Sequence, residues 1–209
     1  RAGGRGGRGR EPPGMSALSV RLGRMSIRRR LEDAHFLLAN GRADGALLSA
    51  CTAISATSRK RYPDPKMTDR KAFTTFLGEE MRVVTAGGII NATVLCPGAD
   101  TTKYPDRVMP LQDVFYEFVR CMLSHEGRIG ENVEFVETDD SSRSTLKVED
   151  DRLILGGGLL RRLLMVPEYA PENAAEFPQV ADMPQEVAGW HLFGRRRDSH
   201  TDYLIGRQR

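Results

Sequence analysis

Arg120 and His125 are the residues of this sequence whose types and spacing could carry chemistry. They lie near the end of the segment MPLQDVFYEFVRCMLSHEG, positions 109–127, with four residues between them. Arginine is a fixed cation with a planar fork of donors, and histidine changes its charge near neutral pH. Whether the two side chains act together depends on the element that positions them.

The segment that carries the pair has the periodicity of an amphipathic α-helix, with apolar residues recurring every three or four positions. At about 100° per residue, Arg120 faces away from the apolar side, and His125 lies roughly 140° further round, near its edge. The two could share a cleft only if the helix loosens near Gly127, or if a second copy of the helix lies alongside. The apolar positions are Leu111, Val114, Phe115, Phe118, Val119, Met122 and Leu123.

Three helices are predicted before this central helix and one after it. The first ends at Asn40 and the second starts at Asp44, so they form an antiparallel hairpin. Asp69 is predicted to cap the third, and the last follows Gly156–Gly158 and stops at Pro167. The predicted inner faces are Ile27, Leu31, Ala34 and Leu38; Ala46, Leu47, Ala50, Cys51 and Ile54; Phe73, Phe76, Leu77, Met81 and Val84; and Leu159, Leu160, Leu163 and Leu164.

The remaining segments predict a small β element and two tails. Short apolar runs separated by Asp and Ser indicate a β-hairpin or meander at about residues 132–155. GGIINATVLC, before the central helix, fits either a helix extension or a short strand. Residues 1–15, rich in Gly and Arg, are expected to be disordered, and residues 167–209 to form an extended arm. The expected fold class is mainly α: an antiparallel bundle of four to five helices over residues 16–166, with the β-hairpin inserted.

Composition favours one cytoplasmic domain. The chain has 209 residues, 40% of them apolar, which suffices for one core. Residues 1–30 hold nine arginines and one glutamate, a local charge of +8, which leaves −5 for the rest of a chain whose net charge is +3. That balance argues against a broad nucleic-acid surface. We expect no membrane segment, no metal and no cofactor, and Cys51, Cys96 and Cys121 as reduced thiols.

The spacing of Arg120 and His125 matches the Rx4-6H motif of HEPN domains, and it lies late in a long helix as in that family. The segment LEDAHFLLANGRADGALLSACTAISATSRKRYP also resembles the opening helix pair of a HEPN bundle. VRCMLSHEG is similar to the RxxLxHEG segment of uncharacterised HEPN-like bacterial proteins. Together these likenesses cover roughly residues 26–130.

The resemblance implies a homodimer that forms through the Arg120 face of the central helix and, in active members, cleaves RNA without a metal. His125 would then transfer a proton at the ribose 2′-hydroxyl or the leaving oxygen, and Arg120 would hold the scissile phosphate. Ser124 and Glu126 could assist them. On this hypothesis the chain is an endoribonuclease or an RNA-binding toxin or antiphage effector.

The alternative is a non-catalytic HEPN-like module that dimerises or binds a partner through the same face. Catalytic HEPN motifs commonly have a polar residue such as Asn directly after the Arg, and Cys121 stands there in this chain. In this interpretation Arg120 pairs with Glu117 or with a carboxylate of a partner chain. His125 then packs at the end of the helix, where a positive charge suits the helix dipole.

Overall fold

The computed structural model describes residues 26–85, 91–136 and 145–178, and in these ranges the chain is mainly helical with small β-sheets. Its elements, in chain order, are α1 (Ile27–Ala39), α2 (Ala43–Arg61), α3 (Asp69–Glu79), α4 (Met81–Val84), β1 (Thr93–Leu95), β2 (Val108–Pro110), α5 (Leu111–Val114), a π-helix (Phe115–Cys121), α6 (Met122–His125), β3 (Val133–Val136), β4 (Leu146–Glu149), β5 (Arg152–Gly156), α7 (Gly157–Tyr169) and a 3₁₀ turn (Pro171–Asn173). The predicted N-terminal tail and most of the predicted arm lie outside the described residues.

The first two helices form the predicted hairpin. Ser26 caps α1, since its Oγ accepts from the N–H of Arg29 at 3.2 Å. Gly41 follows the helix with a φ of +68°, a conformation that glycine adopts at little cost. The inner faces predicted for α1 and α2 are confirmed, because every residue named for them is buried.

The third predicted helix is interrupted. Thr68, not Asp69, is its cap, since the Thr68 Oγ accepts from the N–H of Lys71 at 3.2 Å. The helix then breaks at Glu80, and α4 begins at Met81. The five residues predicted for its inner face are nevertheless all buried.

Two strands precede the central helix. β1 and β2 are antiparallel, with Leu95 opposite Val108. The strand alternative for GGIINATVLC is therefore correct for the part of it that the structure describes, whereas residues 86–90 are outside the described ranges. The second strand of this pair was not predicted, because three residues are too short for periodicity to show.

The second sheet has three strands in the order β3-β5-β4. The β4–β5 hairpin is confirmed, and Asp150 and Asp151 turn it with φ of 49° and 60°. The meander alternative is wrong, because β3 pairs with β5, not with its neighbour in sequence, and does so in parallel. β5 runs directly into α7 at Gly157, so the three glycines do not form a loop.

The chain continues past the predicted end of the last helix. Pro167 lies inside α7, which ends at Tyr169, so the expected stop at Pro167 is wrong. The following residues 171–178, called here the C-terminal segment, pack onto the domain, with Asn173 and Phe177 buried. This part of the chain is therefore not an extended arm.

The C-terminal segment is fixed by polar contacts with the end of α2. Glu172 receives two hydrogen bonds from Arg61, at 2.7 and 3.1 Å. Lys60 Nζ donates to Asn173 Oδ1 at 3.0 Å and to Glu176 Oε1 at 2.8 Å.

In the described residues the buried apolar side chains of the helices and the second sheet form one core. None of the described helices is long and apolar enough to span a membrane.

Candidate functional site

The central helix is continuous from α5 to α6, but its middle is a π-helix, so the prediction of one regular α-helix is wrong. A π-helical segment acts as about one inserted residue, and one residue corresponds to about 100° of rotation. Residues beyond it are turned back by roughly that angle. As a result Val119 and Leu123 are buried, whereas Phe118 and Met122, predicted on the same face, are only half-buried.

The same rotation changes the surroundings of Arg120. Its side chain does not face away from the core, as the regular helix predicted, but points toward α2 and α3. Nε donates to Ser55 Oγ at 3.0 Å, and Nη2 donates to Asp69 Oδ2. The guanidinium carbon lies 5.0 Å from the ring centre of Tyr116 and 5.9 Å from that of Phe73. Arg120 is thus held by groups of its own chain.

Glu117 has partners other than Arg120. It accepts hydrogen bonds from Arg70 and, at 2.6 Å, from Lys103 Nζ. Arg70 Nη2 also lies 3.4 Å from Asp113 Oδ1. The pairing of Arg120 with Glu117 is therefore wrong, and the carboxylate that binds Arg120 comes from the start of α3. We call Ser55, Asp69, Arg70, Tyr116, Glu117 and Arg120 the Arg120 cluster.

Tyr116 lies at the centre of the Arg120 cluster. Its ring meets that of Phe73 edge to face at 5.5 Å, and the Arg70 guanidinium lies 5.5 Å from its centre. Burial raises the pKa of the Tyr116 hydroxyl, and the nearby Cys121 adds to this effect while Arg120 opposes it. The phenol therefore stays neutral at physiological pH and is not a base.

His125 is in a different environment. It is the last residue of α6 and is exposed, as are Ser124 and Glu126 on either side, so the expectation that the imidazole packs at the helix end is wrong. Gly127 follows with a φ of +69°, which agrees with the predicted stop. Among the described residues no hydrogen bond joins His125 to Arg120. The helix does loosen, but it does so over residues 115–121 and not near Gly127.

A metal centre and a nucleophilic thiol are two other kinds of functional site that the described ranges could contain. No three His, Cys, Asp or Glu side chains there form a group that could hold a metal ion. Cys51, Cys96 and Cys121 are free thiols. Burial raises the pKa of Cys51 to about 12, against an opposing effect of Arg120, so this thiol is not a nucleophile at neutral pH.

Sequence reasoning missed four members of the Arg120 cluster, and Arg70 is one of them. Asp69 was identified only as a helix cap, and Ser55 and Tyr116 were not singled out. Tyr116 precedes Arg120 by four positions, which is a usable signal because such residues are neighbours on a helix surface. Ser55 and Asp69 are contributed by distant segments, and nothing in a single sequence indicates their approach.

The chain belongs to the Rv1289 family, because a sequence model of that family matches residues 26–183. Two relatives are the uncharacterized protein Rv1289 of Mycobacterium tuberculosis (strain ATCC 25618 / H37Rv) and the uncharacterized protein Mb1320 of Mycobacterium bovis (strain ATCC BAA-935 / AF2122/97). Each is 28% identical to this chain over 137 residues, which is 64% of this chain. The chain likewise spans 64% of the length of these relatives. No solved structure matches it.

Proposed function

We propose that this chain is a HEPN-like antiparallel helical bundle that binds a protein partner through the Arg120 face and does not cut RNA. The hairpin of α1 and α2 and the late position of the Arg120–His125 spacing support the HEPN-like part of the proposal. The observation that carries the non-catalytic part is the engagement of Arg120 by Asp69 and Ser55.

A catalytic arginine must offer its donors to a phosphate. Here a carboxylate already occupies one edge of the guanidinium, and carboxylates and phosphates compete for the same bidentate geometry. RNA would have to displace Asp69, whose release leaves a negative charge beside the incoming phosphates. This cost works against catalysis at Arg120.

The position of His125 is a second obstacle. Arg120 lies in the π-helix and residues 122–125 are α-helical, so the imidazole is more than about 90° round the helix from the guanidinium. The two groups therefore do not converge on one phosphodiester in a single chain.

The exposed rim of the Arg120 cluster suits a protein better than RNA. The cations at this rim are Arg70 of the cluster and Lys103 beside it; they are 41% and 43% exposed, and both bind Glu117. Such alternating charges match a partner that also has both signs, whereas a polyanion would be repelled by Glu117 and Asp113.

The three free thiols support a cytoplasmic location for the protein.

A second candidate function is metal-independent RNA cleavage by a homodimer that forms through the Arg120 face, as in a toxin or antiphage effector. The exposure of Ser124, His125 and Glu126 favours it, because an RNA strand could reach the imidazole. This candidate requires a second copy to place an imidazole close to Arg120, since neither histidine of the described residues lies there.

The test is incubation of purified protein with fluorescently labelled single-stranded RNA in EDTA, followed by a sequencing gel. We expect no cleavage above the buffer blank for the unmodified protein, for Arg120→Ala or for His125→Ala. Arg128→Ala and His35→Ala are matched controls, since both positions are exposed. Cleavage that disappears in Arg120→Ala and His125→Ala and persists in both controls would establish the second candidate instead.

A further inference from the structure

The strand β4 lies at an edge of its sheet in the described residues. It pairs with β5 on one side, and no described strand lies on its other side. Lys147, Val148 and Glu149 are exposed and Leu146 is partly buried; Val148 is 41% exposed, although its cross-strand neighbour Leu153 is buried. An edge of this kind can pair with another strand.

The ladder shows which backbone groups point outward. The N–H of Gly156 donates to the C=O of Thr145 at 2.9 Å, so these opposed residues form a hydrogen-bonded pair. In an antiparallel ladder such pairs alternate with non-bonded ones. Lys147 and Glu149 therefore direct their backbone groups to β5, whereas Leu146 and Val148 direct theirs to the open edge.

A second copy of β4 can pair antiparallel with this edge in several symmetric registers. Centring the two-fold axis on Val148 makes the two Val148 residues a hydrogen-bonded pair and places Lys147 of each copy opposite Glu149 of the other. Centring it on Leu146 places Lys147 opposite Thr145 and creates no charge pair. An axis at Lys147 would pair the outward backbone groups of Leu146 with those of Val148, but it would place the two Lys147 ammonium groups directly opposite each other.

We infer that β4 is a self-association edge, at which two copies of this chain join their sheets across a two-fold axis at Val148. Non-bonded antiparallel pairs bring side chains closest, so both Lys–Glu pairs form where opposite charges interact best. Two-fold interfaces are self-complementary, and the sequence Lys-Val-Glu has this property in the antiparallel direction. The charge pattern thus selects a second copy over an unrelated strand.

The inference goes beyond the proposed function, because it involves neither Arg120 nor His125. Substitutions in β4 leave the Arg120 cluster intact, so failure of the edge contact and failure of the proposed function give different results. Lys147 and Glu149 are 52% and 57% exposed, which makes both suitable for charge reversal without disturbing the core.

The test is sedimentation velocity over a series of concentrations. We expect a concentration-dependent dimer for the unmodified chain and a roughly tenfold weaker one for Lys147→Glu and for Glu149→Lys, since each opposes like charges twice. An equimolar mixture of the two variants should dimerise as the unmodified chain does, because both pairs are then opposite in sign. Lys66→Glu, at an exposed position outside β4, makes the same charge change and should have no effect.

Val148→Pro tests the backbone. It removes the two central N–H donors of the interface, and β5 does not use that N–H, so the variant should keep its circular dichroism spectrum and lose the dimer. Three results would each overturn the inference: a monomer at every concentration, a mixture no stronger than the single variants, or an undiminished dimer in Val148→Pro. The first would leave the edge to a strand of another protein.

Discussion

Arg120 contacts the side chains of Ser55, Asp69, Phe73 and Tyr116 in its own chain. The sequence identified Arg120 as a residue of interest from its spacing, but its neighbours depend on the rotation that the π-helix introduces. No residue type between Phe115 and Cys121 announces that rotation, because proline and glycine are absent from this stretch. The spacing of Arg120 and His125 therefore does not determine whether the Arg120 guanidinium is available for chemistry. Its contacts in the folded chain do.

Asn173 is the fully buried polar residue of the C-terminal segment. Its Nδ2 donates to Thr57 Oγ1 at 2.8 Å and to the Pro167 carbonyl at 2.7 Å, and its Oδ1 accepts from Lys60. We predict that Asn173→Ala lowers the free energy of unfolding by about 2 to 3 kcal/mol, since buried partners lose their hydrogen bonds. Urea unfolding followed by circular dichroism measures this change. Asn91→Ala, at an exposed position, is the control, and equal small effects for both variants would refute the prediction.

The helices were more predictable than the strands. The inner faces of α1 and α2 follow from periodicity alone because both helices are long enough to repeat it several times. β1 and β2 have three residues each, and the parallel pairing of β3 with β5 depends on contacts between segments that are distant in sequence. Local patterns contain no information on such pairings.

The loop after β1 approaches the central helix closely at Gly98. A Cβ at this position would lie 3.1 Å from both Asn132 Cβ and Phe118 Cε1, and the Asn132 amide, whose Nδ2 would be at 2.4 Å, would also have to move. We predict that Gly98→Ala lowers the free energy of unfolding by about 1 to 3 kcal/mol, because the neighbours must move. Thermal denaturation measures this.

Gly45, inside α2, provides the matched control. Its Cβ would approach only the flexible end of Leu37, at 3.2 Å, and alanine is the better helix former by about 1 kcal/mol. Gly45→Ala should therefore leave the melting temperature unchanged or raise it. If Gly98→Ala behaves in the same way, the close approach at Gly98 does not exist.

The C-terminal segment connects α1 and α2 through Glu176. Its carboxylate accepts from Lys60 Nζ at 2.8 Å and from the N–H of Arg28 at 3.0 Å. Burial alone would raise the pKa of Glu176, but these hydrogen bonds outweigh it and hold the pKa below the ordinary 4.5. The sequence predicted an extended arm here because a segment rich in proline and acidic residues has no periodicity. The contacts that fix it come from α1 and α2, which are distant in sequence.

Stability should therefore depend on pH through Glu176. The folded pKa is lowered, so the contribution of the carboxylate is complete above pH 4.5 and is lost as the pH falls through the folded value. We predict that Glu176→Gln lowers the free energy of unfolding at neutral pH by about 1 kcal/mol. The difference from the unmodified chain should shrink to zero in acid, as chemical unfolding at a series of pH values would show. Glu131→Gln, at a highly exposed position, should differ little at any pH, and a Glu176 effect that does not vary with pH would contradict the assignment.

At the scale of the whole molecule, Arg120 joins the central helix to α2 and α3 within one chain. Its guanidinium takes part in one hydrogen bond to Ser55, one half-exposed ion pair with Asp69 and two contacts with aromatic rings. The most direct measurement is the free energy of unfolding of Arg120→Ala, with Arg128→Ala as the exposed control. We predict a loss of about 2 to 3 kcal/mol for Arg120→Ala and less than about 0.5 kcal/mol for Arg128→Ala. An Arg120→Ala variant as stable as the unmodified chain would show that Arg120 is free for another role.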